Sequence, residues 1–72
     1  MKIHCFADTD TLFIELSDRP SVRTEEINEL VTVDLDTEEK LVGITIESAR
    51  NQVDLNSINI LTNLELKTLQ PL

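Results

Sequence analysis

Leu30 to Glu47 reads L-V-T-V-D-L-D-T-E-E-K-L-V-G-I-T-I-E. In its first part Val31, Val33 and Leu35 alternate with Thr32 and Asp34; in its second, Val42, Ile44 and Ile46 alternate with Gly43 and Thr45. A period of two puts each aliphatic set on one face of a pleated strand, and Val and Ile suit that half-buried setting. The D-T-E-E-K run at 36–40 joins the two as a hairpin loop. Two antiparallel strands, 30–35 and 41–47, follow from this stretch.

Working toward the N-terminus, T-L-F-I-E-L-S at 11–17 alternates in the same way, with Leu12, Ile14 and Leu16 on one side. Lys2 to Phe6 predicts a shorter strand, Ile3 and Cys5 facing one way, His4 and Phe6 the other. The A-D-T-D-T connection supplies turn formers, so these two strands form a hairpin. Pro20 lacks a ladder donor and extends the residue before it, so the chain turns at 17–21. Residues 22–27 are polar on both sides and predict an edge strand whose charges discourage unwanted pairing. The opposite phases of these strands collect His4, Phe6, Phe13, Leu30 and Leu41 on the second face of the sheet.

Toward the C-terminus, Leu55, Ile58, Leu61 and Leu64 recur every third residue, with Asp54 or Asn56 placed to cap a helix. Ile58, Ile60, Thr62, Leu64 and Leu66 also alternate, so residues 54–66 admit a strand, but a helix is the expectation. The predicted architecture is α+β, an antiparallel meander of about five short strands with a C-terminal helix packed on one face. The 72 residues make a single domain, β-rich and acidic over 1–47 and a helix and tail over 48–72.

Composition narrows the function. Fourteen acids against six bases give a net charge of −8, and residues 1–47 carry twelve acids and four bases. That charge repels phosphate backbones and anionic lipid, which argues against direct nucleic-acid or membrane binding. One cysteine excludes an internal disulfide, the apolar runs are far too short to span a bilayer, and a cytoplasmic location is expected. A single Gly rules out a phosphate loop. His4 and Cys5 are neighbours on a strand, point to opposite faces and cannot share a proton, so they are no catalytic dyad. Loops started at Asp8 or Asp34 lack the Gly and the bidentate Glu of a calcium loop. No enzyme activity, cofactor or metal site is expected.

Four segments, M-K-I-H from Met1, D-T-D-T-L-F-I-E-L-S-D from Asp8, T-E-E-I-N from Thr24 and V-D-L-D-T-E-E-K-L-V-G-I from Val33, carry a family resemblance. In order and spacing they resemble the family catalogued as domain of unknown function 2283, over about residues 1–49. The resemblance implies a small bacterial or archaeal β-rich domain with no catalytic residues to carry over. Some members lie beside genes for small toxin-like proteins, which implies an antitoxin or partner-binding role. This chain departs from the pattern at Cys5-Phe6-Ala7, where Tyr-Asp-Pro is usual, at Glu39, where Gly is usual, and at Thr45, where Glu is usual.

Two interaction surfaces are therefore expected. Phe6, Phe13, Leu30 and Leu41 would form an exposed apolar face, which predicts a homodimer. Glu25, Glu26, Glu29, Asp34, Asp36, Glu38 and Glu39 would present one negative surface to a basic protein partner. The alternative is a small-molecule or metal site at the dimer interface, where two chains pool their ligands.

Overall fold

The structure is a computed structural model that describes residues 1–61. One five-stranded antiparallel sheet is followed by a single helical turn: β1 (Lys2–Phe6), β2 (Thr11–Glu15), β3 (Arg23–Asn28), β4 (Val31–Leu35), β5 (Leu41–Glu47) and α1 (Ala49–Gln52). The strand order is β1-β2-β5-β4-β3. A sequential meander thus holds within β1–β2 and from β3 to β5. The departure is β2, which pairs with β5 rather than with β3.

β5 takes the centre because no residue from Leu41 to Ile46 is charged, so both of its edges and its aliphatic face tolerate burial. Ile3, Ile14, Ile44 and Val33 form one cross-strand row, and Cys5, Leu12, Ile46 and Val31 form the next. These rows are the core face expected from the period-two pattern. β3 is the outer strand on one side and is exposed at every residue, as its charges require. Its register with β4 shifts between Glu26 and Asn28.

The crossover from β2 to β3 runs around the end of the sheet. Leu16 and Ser17 donate their amides to the Val42 carbonyl at 2.8 and 3.2 Å, and Val22 donates to Leu35 at 2.9 Å. Arg19 fastens the middle of this loop through its guanidinium, from Nε to Asp36 Oδ2 at 2.6 Å and from Nη2 to the Leu41 carbonyl at 3.0 Å. Pro20 lies beside it, in a segment that needs no ladder donor.

Gly43 explains itself by what lies over it. A β-carbon there would stand 2.9 Å from Phe13 Cε1 and 3.1 Å from Cζ, so the Phe13 ring occupies the space a side chain would fill.

The C-terminal expectation is corrected in part. α1 is one turn long, and it is capped from a distance: Ala49 donates to the Asp10 carbonyl at 2.9 Å and Arg50 to Asp10 Oδ1 at 3.1 Å. Val53 is extended and ends it. Residues 53–61 contain no helix. Asp54, placed by its sequence to cap a helix, accepts the Asn56 amide at 2.9 Å within a local turn, a side-chain bond that competes with helix formation. Val53, Leu55 and Ile58 instead lie beside Ile3, Leu12, Ile14 and Ile46 on the aliphatic face. The rest of the stretch, with Leu64 and Leu66, falls outside the described residues.

Candidate functional site

Asp36 is the most heavily bonded acid among the described residues. It follows β4 directly, is only 7% exposed, and accepts the Glu38 amide at 2.8 Å and the Lys40 amide at 2.9 Å on Oδ1 while Oδ2 holds Arg19. The Lys40 amide, then the Glu38 amide and the Arg19 guanidinium, hold its carboxyl below the ordinary range against the opposing effect of burial. One carboxylate thus closes the β4–β5 turn and anchors the crossover. The expectation that Asp36 belongs to an accessible acidic surface is corrected: its oxygens are committed internally.

Because the folded state lowers this pKa, the stabilisation is fully present above the unfolded value of about 3.9 and is lost as pH falls through the folded value. Asp36→Asn is expected to lower the thermal midpoint at neutral pH more than replacing Glu25, Glu26 or Glu29 with Gln. It is also expected to flatten the decline of the midpoint below about pH 5. Melts followed by circular dichroism across that range check both.

The same turn contains Glu39 at φ 63°, so this residue holds the left-handed conformation despite lacking the family's usual glycine. Its carboxylate accepts Arg23 Nη2 at 2.8 Å. Glu39→Gln removes that charge and keeps the strained backbone, whereas Glu39→Gly removes both. The Gly variant is expected to be more stable than the Gln variant by about 0.5–1 kcal/mol in urea unfolding.

The remaining acids fall into two groups. Arg23 also pairs with Glu25, so it links the β3 edge to the hairpin turn and brings Glu25 and Glu39 together. Asp34 is nearby, half-buried, and accepts the Thr24 hydroxyl at 2.7 Å. Glu38 is exposed in the turn beside Lys40, at 3.5 Å. Glu26 is exposed on the second face, and Glu29 lies in the turn at the other end of β3.

On that second face His4 stacks between the two phenylalanines, 6.2 Å from Phe6 and 5.8 Å from Phe13 between ring centroids. His4 and Phe13 are direct cross-strand partners, so the pairing of β1 with β2 builds the stack. Phe6 is 49% exposed. The Leu30 carbonyl accepts the Glu47 amide at 2.8 Å, which places Leu30 beside the row of Phe6, Thr11 and Glu47. Leu41 does not join them. It lies opposite Leu35 at the other end of β5, roughly 20 Å from the Phe6 row at the usual strand rise. The expected four-residue apolar face is corrected to an aromatic stack with Leu30 near one end. The phases of 2–6 and 11–17 place His4, Phe6 and Phe13 on one face, as expected, while the stacking of their rings was not read from the sequence.

Cys5 is exposed on the aliphatic side, opposite Leu12, and so stands apart from His4. Among the described residues no group of three or more His, Cys, Asp or Glu is placed to hold a metal ion, and no helix is long and apolar enough to cross a membrane.

No curated protein and no solved structure matches this chain. A family model described as "Protein of unknown function (DUF2283)" matches residues 2–50, which span all five strands and the start of α1. The chain is therefore a member of the DUF2283 family.

Proposed function

We propose that this is a non-enzymatic protein-binding domain that self-associates and captures a basic protein, as the acidic half of a pair. The observation that carries the reading is the outer position of β3. This strand is exposed along its whole length, bears Glu25 and Glu26, is followed by Glu29, and is tied through Arg23 to Glu39 of the neighbouring turn. An exposed acidic edge steers a cationic partner and speeds its encounter, and the same charges repel nucleic acid and anionic lipid. Arg23 neutralises part of one end, which leaves Glu26 and Glu29 as the carboxylates of this edge without an ion pair among the described residues. Exposed Phe6 beside His4 and Phe13 supports self-association of a small domain.

Affinity capture from the native host, followed by mass spectrometry, is expected to retain a basic protein. Retention should fall steeply between about 50 and 300 mM salt, as screening shortens the reach of exposed charges. Replacing Glu25, Glu26 and Glu29 together with Gln is expected to weaken capture and leave the unfolding free energy within about 1 kcal/mol of wild type. A partner whose affinity is indifferent to salt and to these replacements would overturn the electrostatic account. Light scattering after gel filtration tests the dimer: an 8.2 kDa species at tens of micromolar would refute it.

A further inference from the structure

The two outer strands of the sheet are unlike. β3 carries Glu25 and Glu26, is followed by Glu29, and its register with β4 breaks between Glu26 and Asn28, all of which hinder further pairing. β1 has none of these guards. It pairs with β2 without a shift from Lys2 to Phe6, contains no acid and no proline, and bears one charge, the ammonium of Lys2. Among the described residues no strand pairs with its outer side, and Ile3, Cys5 and Phe6 are exposed.

The ladder decides which groups that side presents. The Leu16 amide turns toward β5 to bond Val42, and the Glu47 amide turns away from β2 to bond Leu30, which leaves Ile46 to bond Leu12. By the alternation of an antiparallel ladder, Leu12 and Ile14 bond β5, while Thr11, Phe13 and Glu15 bond Phe6, His4 and Lys2. The amides and carbonyls of Ile3 and Cys5 therefore point out from the edge.

We propose that this edge is the self-association surface: β1 of one copy pairs antiparallel with β1 of a second copy about a twofold axis at His4, which makes one continuous sheet. This deepens the self-association reading above and rests on it. In that register Ile3 of each copy exchanges both ladder bonds with Cys5 of the other, so the outward groups of the strand interior are satisfied. Neighbouring registers of the same bonding phase, centred on Ile3 or Cys5, leave part of β1 unpaired. The axis passes through the sheet, so like faces join. The row of Val33, Ile44, Ile14 and Ile3 runs on into Cys5, Leu12, Ile46 and Val31 of the second copy. On the other face the two His4 side chains meet, and Lys2 stands opposite Phe6 of the second copy. Charge favours the same occupant: a chain of net charge −8 approaches its own copy with least repulsion along a strand that has a cation and no acid, whereas a cationic partner is drawn to β3.

The axis is tested by oxidising the double variant His4→Cys, Cys5→Ser with glutathione disulfide. Directly opposed residues of a non-hydrogen-bonded pair stand about 4.5 Å apart between α-carbons, within the span of a disulfide. The expected result is a covalent dimer on non-reducing electrophoresis with a native circular dichroism spectrum. Wild type is expected to stay uncrosslinked, because its two Cys5 residues lie diagonally about 7–8 Å apart, and so is Glu25→Cys, Cys5→Ser on the other edge. Cys5→Pro removes an outward donor and no bond to β2, so it should weaken the dimer at least tenfold by light scattering and keep a cooperative melt. If that variant does not fold, the cross-linking decides. A wild-type dimer whose His4→Cys, Cys5→Ser variant cross-links no faster than the β3 control would overturn this edge and leave self-association standing. Ready cross-linking through Cys5 in wild type would overturn the axis at His4. A wild-type monomer at tens of micromolar would overturn both the edge and the self-association reading.

Discussion

Ile44→Asp is expected to abolish cooperative folding. Ile44 lies in the central strand, flanked on its own face by Ile14 on β2 and Val33 on β4. The row ends in Ile3 on one side and Glu25 on the other, so a carboxylate at 44 meets no cation there, only aliphatic groups and a like charge. It must take a proton or sit unpaired, at a cost of several kcal/mol on top of about 2 kcal/mol of lost apolar burial. A domain of this size has a total stability of about 4–10 kcal/mol. The substitution therefore removes most or all of it. Circular dichroism and urea titration check the outcome, and a cooperatively folded variant with an unchanged midpoint would show that Ile44 faces water.

Truncation after Gln52 ranks second. The removed chain includes Val53, Leu55 and Ile58, which line a cavity together with Ile3, Leu12, Ile14 and Ile46. Leu12 is 6% exposed and is one of only four buried apolar residues in the described structure, so uncovering it strikes a core with little in reserve. Returning a buried side chain such as Leu12 to water forfeits about 1.5–3 kcal/mol, a large share of the stability of a domain this small. The 1–52 fragment is expected to aggregate or to lose its cooperative melt, as read by gel filtration with light scattering and by thermal unfolding. The family match ends at residue 50, so the cover lies outside the shared region. A soluble fragment of native stability would make that segment a dispensable arm.

The strands and their phases were legible because an aliphatic residue on the wrong face of a half-buried strand is costly, and that cost is written in a period of two. β5 matches the expected bounds at both ends, and the β4–β5 loop falls on the D-T-E-E-K run. The family, too, was legible in short segments of the chain. Less could be read of Asp36. In sequence it is one acid among several near a turn, and only the passage of Arg19 across the end of the sheet turns it into a buried anchor rather than a surface charge.

The described part of the C-terminal segment, up to residue 61, departs from the helical expectation for a related reason. A three-residue spacing of leucines carries little helical preference when Asn, Ser and Asp between them bond their own backbone, and so the surface available for packing decides. Here that surface is the aliphatic face, and Val53, Leu55 and Ile58 line an open cavity over it, around a local turn at 55–56. Period, turn chemistry and charge, which act between residues near in the chain, determined by themselves that this protein is an acidic antiparallel sheet with two unlike faces. Which strand stands beside which, the internal use of Asp36, the His4–Phe6–Phe13 stack and the separation of Leu41 from it were decided only in the tertiary structure. Each depends on β5 accepting β2 along its open edge, a pairing between segments about thirty residues apart that no local pattern encodes.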